Sequence, residues 1–291
     1  MTRLLEIWRY PVKSMVGGTV GSAHLSVLGI DGDRHWAVRS LEIGGIRGAK
    51  RIGDLMRFSA AFVGEADPGS AAGPGHVEIT LPDGSRVRSS DADVDARISS
   101  ALGHSVTLQH LPADNDPEHF RRGPGSGGDP VQELRDIFGR EADEPLPDFS
   151  AFPPEVVEFE SPPGTHYDCW PLLVMTTSAM RSLEAALPGS NTDIRRFRPS
   201  LVVDTGDEAG HPEFGWTGRT AVIGDEATGP VVEFLKPCPR CVMTTREVAG
   251  GIPADRQVLR HIVRDLDQNL GVYARITRPG TVRAGDPVRF L

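Results

Sequence analysis

Residues 235–247, LKPCPRCVMTTRE, carry two of the chain's three cysteines, Cys238 and Cys241, with Pro239 and Arg240 between them. A Cys-x-x-Cys pair serves three chemistries: a redox dithiol, half of a zinc site, or a loop that presents one thiolate to a metal cofactor. No second cysteine pair and no histidine pair at finger spacing accompanies it, which weighs against zinc. A thiol in a loop beside Lys236 and Arg240 ionises more readily than one in an apolar core. A second group, Arg195, Arg196 and Arg198 in DIRRFRPSLVVD, has two readings. It is either a set of solvated arginines leading into a strand or an anion site, because guanidinium groups match phosphate bidentately.

The composition limits what these groups serve. The chain has 291 residues, 38% hydrophobic and 24% charged, which is ordinary for a globular protein with a large core. Its net charge of −9 argues against a nucleic-acid partner, which needs a basic surface. The N-terminal MTRLLEIWRYPVKS has charge and proline where a signal peptide needs an apolar run. No apolar run reaches the roughly 18 residues of a membrane span. Three cysteines make no disulfide framework, so a cytoplasmic protein without a membrane partner is expected.

The elements that must position the cysteines and arginines fall in three parts. Residues 1–108 read as short strands broken by turns, with PDG at 82–84 as a hairpin signal and a helix carrying Val94, Ile98 and Leu102 closed by Gly103. Residues 109–165 are rich in Pro, Gly, Asp and Glu, with one short helix around Leu134, and read as a functional loop or linker. Residues 166–291 hold clearer elements. TTSAMRSLEAALPG is a helix with hydroxyl residues available as its cap, and IPADRQVLRHIVRDLDQNLG is a second, with Pro253 near its first turn and Gly271 as its stop. Strand runs rich in branched residues surround them. With few helices and no βαβ alternation, the expected class is α+β and strand-rich: an N-terminal β-barrel-like domain plus a mixed β-barrel domain.

Six strings carry a resemblance: YPVKS (10–14), GIDGDRHWAV (29–38), DCWPLLVMTTSAM (168–180), RRFRPSLVV (195–203), CPRCVMTT (238–245) and GTVRAGDPV (280–288). They occur in the order seen in MOSC-domain proteins with a MOSC N-terminal β-barrel domain, so the chain resembles that family. The family includes amidoxime-reducing components and bacterial reductases of N-hydroxylated bases. The resemblance implies a molybdenum cofactor of the pterin type, with Cys241 completing the metal's coordination and Cys238 left as a buried thiol. It implies phosphate contacts from Lys13, Ser14, Arg34, Arg198 and Ser200, and from the helix-start hydroxyls Thr176, Thr177 and Ser178. Lys50 is a further candidate contact, and His35 a candidate proton carrier near the cofactor. Arg196 and Ser200 both depart from the family pattern, which usually has Asn on each side of FRP: Ser200 keeps a hydrogen bond, and Arg196 is expected to add positive charge to the pocket.

The implied reaction is oxygen-atom transfer that removes oxygen from the N–O bond of a small N-hydroxylated compound, followed by two electrons, two protons and loss of water. The cysteine spacing of a plant-type iron–sulfur domain is missing and no GxGxxG marks a nucleotide site, so an external electron donor, a flavoprotein reductase or a ferredoxin, is expected. Pyridoxal phosphate is not expected. A different class of function stays open: a non-catalytic carrier of molybdenum cofactor or persulfide sulfur, using Cys241.

Overall fold

The computed structural model describes residues 2–64, 75–112, 116–124, 128–150 and 152–291, so the PGSGGDP run at 124–130 lies partly outside the described residues. Alternating burial builds the main sheet. Along Asn269–Arg278, Val272, Ala274 and Ile276 are buried while Tyr273, Arg275 and Thr277 are not, which is the period of a strand with one face on a core. Eight strands join in the order Val288–Phe290, Thr220–Ile223, Val231–Pro239, Asn269–Arg278, Leu172–Thr176, Leu201–Asp204, Arg3–Arg9 and Gly18–Val20. Residues from both ends of the chain share its core: Leu4 and Ile7 pack in one cluster with Leu172, Phe234, Val272 and Val288. Gly280–Arg283 likewise pairs with Ser22–Ser26.

The architecture is α+β and strand-rich, with an N-terminal barrel and few helices. One pairing departs from the sequence reading. Leu172–Thr176 runs parallel to Leu201–Asp204, and the helix Thr177–Ala186 makes the crossover between them, so a single βαβ unit sits in an otherwise antiparallel sheet. Gly271 departs too. The second helix spans Arg256–Asp265, with Asp255 as its cap, accepting from the Gln257 N–H at 2.8 Å. Asp267 and Gln268 then take the left-handed turn, at φ 46° and 70°. Gly271 lies inside the following strand at φ 78°, where a Cβ would stand 2.9 Å from the Val174 carbonyl. Close approach to the neighbouring strand, and not helix termination, requires the glycine.

The N-terminal barrel has its own core around Val38, Phe58, Ile79 and Ile98. The helix Val94–Leu102 covers it, and Gly103 ends that helix at φ 65°. Met243, Val248 and Ile252, from the segment that follows Cys241, are buried in this same core. Each such side chain contributes roughly 1.5–3 kcal/mol on leaving water, so the Cys241 loop is anchored in the opposite half of the molecule. A third cluster packs Ala179, Leu183, Val258 and Ile262 of the two helices over Leu173, Met175 and Cys238.

The connecting segment is strapped to both halves. Its helix Pro130–Phe138 is capped by Asp129 and ends on Gly139 at φ 62°. Arg51 pairs with Glu133 on one side, and Arg260 with Glu144 on the other. Among the described residues no helix is long and apolar enough to cross a membrane.

Candidate functional site

Along the seam between the halves lies a cavity of about 720 Å³. All three cysteines line it, as do Lys13, Ser14, Arg34, Lys50, Arg198 and Ser200. The turns that carry these residues are stitched together by backbone hydrogen bonds: Arg34 N–H to the Tyr10 carbonyl at 2.7 Å, and Lys13 N–H to the Trp36 carbonyl at 2.7 Å. Tyr10 is the hub. Its N–H donates to Asp33 Oδ1 at 2.6 Å, its hydroxyl donates to the Pro199 carbonyl at 2.9 Å, and its ring carries both Arg34 and Arg198, at 5.1 and 4.2 Å from the centroid. Burial raises its phenol pKa well above the usual range, against the pull of the two arginines.

The backbone is strained at this point. Five described residues other than glycine have positive φ, and three of them line the cavity: Ser14 at 69°, Arg34 at 53° and Arg198 at 56°. Such conformations cost on the order of 1 kcal/mol or more each and persist where the surrounding structure enforces them, which is typical of functional sites. Ser14 Oγ accepts from the Ala49 N–H at 2.9 Å, and this fixes the 48–50 turn that brings Lys50 to the cavity.

The charges are unequally satisfied. Lys13 is buried and its ammonium already meets three acceptors: the His166 carbonyl at 2.7 Å, Ser161 Oγ at 3.2 Å and Asp168 Oδ1 at 2.6 Å. Lys50 takes the other Asp168 oxygen at 3.0 Å. Burial pulls the Lys13 pKa down, with Asp168 opposing; burial would raise that of Asp168, but the two lysines hold the carboxyl well below its usual range. Arg34 is paired with Asp33. Arg198 is different. One guanidinium nitrogen donates to the Met15 carbonyl, while Nη2 is buried without a partner, and burial beside Arg34 lowers its pKa to about 10. A residue that lines a cavity and carries a buried cation with a free donor is a place for an anion.

Cys241 is half-buried at the cavity edge and heads a short turn, Val242–Thr245, whose Thr244 hydroxyl donates to the Cys241 carbonyl at 3.0 Å. Cys238 is buried, with Arg240 Nη1 3.3 Å from its sulfur, and burial pushes its thiol pKa up. Cys169 also faces the cavity, with its thiol pushed up to about 12 by burial and the nearby Asp168.

Several residues lie elsewhere than the sequence reading put them. Thr176, Thr177 and Ser178 are not among the residues lining the cavity. Leu173 lines it, and Thr176 lies about 10 Å further along the same strand, at its other end. The Thr176 hydroxyl donates to Glu213 at 2.7 Å and caps the helix by accepting from the Ala179 N–H; Thr177 donates to Asp204, and Ser178 pairs with Thr205. Arg196 does line the cavity, but it adds little free charge. Its guanidinium is fully buried and donates to the carbonyls of Asn191 at 2.6 Å, Arg246 at 2.9 Å and Pro253, so it braces the loop behind Cys241. Arg195 is held by Asp193. His35 is half-buried, away from the cavity lining, and burial lowers its pKa. The sequence reading gave no role to Tyr10 or Asp168, although both stand inside motifs it quoted.

A chain with a β-barrel N-terminal half, a mixed-sheet C-terminal half and a cysteine loop facing a cationic cavity between them defines a recognisable class of two-part proteins. The MOSC N-terminal beta barrel domain matches residues 1–116 and the MOSC domain residues 162–289, and the chain belongs to the MOSC family. It is 24% identical over 306 residues to the mitochondrial amidoxime reducing component 2 of Bos taurus, covering 97% of this chain and 81% of that protein. It is 23% identical over 308 residues to the mitochondrial amidoxime-reducing component 1 of Homo sapiens, covering 98% and 82%. Among solved structures, the YUAD protein from Bacillus subtilis overlays with a TM-score of 0.42 at 10% identity, over 100% of this chain and 96% of that one.

Proposed function

We propose that this chain is a molybdenum-cofactor-dependent reductase of N-hydroxylated compounds, acting by oxygen-atom transfer with electrons from an external donor protein. The observation that carries the reading is that a half-buried thiol, Cys241, and Arg198, whose Nη2 is buried without a partner, line the same cavity. A pterin dithiolene with a phosphate needs both: a soft ligand for the metal and a donor set for an anion. The residues present fit such a group. Cys241 would ligate the metal, while Arg198, Lys50 and the Ser14 turn would hold its anionic part; Lys13, its three donors already engaged, would act through Asp168.

When bound, the cofactor supplies two-electron oxygen-atom transfer at the metal. The chain's own residues do the rest. Arg34 and Arg198, stacked on Tyr10, offset the negative charge brought into the cavity. Met243, Val248 and Ile252 fix the position of the Cys241 loop. The Lys13–Asp168–Lys50 group keeps a carboxylate and two ammonium groups in one hydrogen-bonded set at the cavity wall.

Expression with molybdate, followed by metal and pterin analysis and by a reduction assay on an N-hydroxylated substrate with a chemical electron donor, tests the reading. Near-stoichiometric molybdenum with turnover is the expected result. Cyanide-labile sulfur without metal would replace it with the carrier reading.

A further inference from the structure

We infer that the helix Pro130–Phe138 is a lid over the cavity, hinged at its C-terminal end and latched to the N-terminal barrel by the ion pair of Arg51 with Glu133. Pro130, Glu133, Leu134, Ile137 and Phe138, at i, i+3, i+4, i+7 and i+8, make one face of this helix, and all five line the cavity. No residue of the helix is buried, and none belongs to the hydrophobic clusters found among the described residues. Short helices owe their stability to packing an apolar face, and this face meets a void instead. An element with so few buried apolar contacts belongs to the low-stability end of a fold, from which lids are drawn.

Charge holds the helix, and unequally at its two ends. Residues 109–165 contain 13 acidic and 4 basic residues, so this segment carries the whole net charge of −9 and the rest of the chain is neutral. At the C-terminal end the anchorage is dense. Arg260 donates to the Gly139 carbonyl and pairs with Glu144, Arg264 reaches Glu141 at 2.7 Å, and Arg140 donates to the Arg240 carbonyl at 3.0 Å. Arg135, one turn before Gly139, keeps the last turn on this anchor through the Glu141 and Glu144 carbonyls, at 2.7 and 2.8 Å. The other end has one latch. Among the described residues, Glu133 with Arg51 is the helix's sole ion pair to the barrel, and its side chains are 20% and 21% exposed, within reach of salt. Behind it Arg47 is fully buried with Nε and Nη1 unpartnered, a surplus of positive charge within electrostatic reach of Glu133 and Glu160. The fixed end sits on the cysteine loop: a Cβ on Gly139 would stand 3.3 Å from Val242, the residue after Cys241. Releasing the latch frees the N-terminal end to swing about this pivot and widens the route to Cys241.

The test uses the full-length chain expressed without molybdate, so that no metal holds Cys241. Alkylation of Cys241 by iodoacetamide, read on its own peptide by mass spectrometry, reports how often the lid is open. Glu133→Gln and Arg51→Gln, each shown to be folded by circular dichroism, should both speed the reaction about 2- to 5-fold, the size of a partly exposed ion pair. The two variants change the charge in opposite directions, so a shared acceleration is not an effect on thiol ionisation. The exchanged pair, Arg51→Glu with Glu133→Arg, should return the rate to that of the wild type. Added sodium chloride should speed the wild type more than Glu133→Gln. Single variants that leave the rate unchanged or move it in opposite directions would overturn the inference. So would an exchanged pair that stays fast, or equal salt sensitivity in wild type and Glu133→Gln. The reductase reading is untouched by either result, because the readout needs no cofactor and no turnover.

Discussion

Replacing Arg140 with Ala should unfasten the peptide that leads into Cys241. Arg140 belongs to the connecting segment, is 7% exposed, and donates to the Phe138 carbonyl at 2.6 Å, the Arg240 carbonyl at 3.0 Å and Gln268 Oε1 at 3.0 and 3.2 Å. The Arg240 carbonyl is part of the peptide bond to Cys241 itself. Truncation leaves three acceptors short of a donor in a largely dry site. A hydrogen bond to a charged group is worth about 1.5–3 kcal/mol, and bonds sharing one side chain do not add, so the expected loss is about 3 kcal/mol. With a urea slope near 3 kcal/mol/M for a chain of this size, the midpoint should fall by about 1 M. Arg140→Lys keeps the charge but not the fork of donors and should fall between. Urea titrations give the midpoint, and alkylation of Cys241 in the native protein should be faster in the Ala variant. An unchanged midpoint together with an unchanged alkylation rate would refute the reasoning.

Two more outcomes follow from the site. Arg198→Ala should reduce pterin retention about 10- to 100-fold, because a charge-assisted bond to a buried anion is worth about 1.5–3 kcal/mol. Arg195→Ala should do much less, since Asp193 holds that side chain, and equal pterin in wild type and the Arg198 variant would remove Arg198 from the site. His166 gives a pH dependence. It is buried; its Nδ1 is 2.9 Å from the Arg34 carbonyl, which only accepts, so Nδ1 carries the proton, and Nε2 accepts from His119 at 2.9 Å. Burial first, and then Lys13, holds its pKa well below 6.5. Between the folded and unfolded values the unfolded chain binds the extra proton, so stability is complete above about pH 6.5 and falls below it by up to about 1.4 kcal/mol per unit. Urea midpoints from pH 8 to 5 should show that fall, with a shallower one in His166→Asn; the same slope in both would contradict it.

Local signals made parts of the fold legible. The Gly103 helix stop, the hairpin at PDG and the hydroxyl cap before Ala179 all come from chemistry within a few residues. What was not legible depends on partners far along the chain. Nothing in Arg3–Arg9 says that it pairs with Leu201–Asp204, and Gly271 looks like a helix stop until the strand beside it is known. The site divides the same way. The six strings named Lys13, Ser14, Arg34, Arg198, Ser200 and Cys241, and the structure gathers them at one cavity. The Thr176–Ser178 run carries the same family signal, but its hydroxyls are taken by Glu213, Asp204 and Thr205. The aromatic side chains that line the cavity, Phe138, Phe149, Phe152, Trp170 and Tyr273, are scattered over the chain, three of them in a segment without strong periodicity, so nothing in the sequence says that they meet. Left-handed φ at Ser14, Arg34 and Arg198 leaves no mark on residue type.

The central claim is that one thiolate, from Cys241, serves the metal while Cys238 is a packed thiol. Turnover of an N-hydroxylated substrate by Cys241→Ser and Cys238→Ser, prepared side by side with circular dichroism confirming the fold of each, tests it most directly. A hydroxyl is a far poorer ligand than a thiolate for a soft metal site, so Cys241→Ser should be inactive. Cys238→Ser should keep appreciable activity, because its sulfur is buried against Arg240 and is not needed as a ligand. Loss of activity in folded Cys238→Ser as complete as in Cys241→Ser would contradict the account.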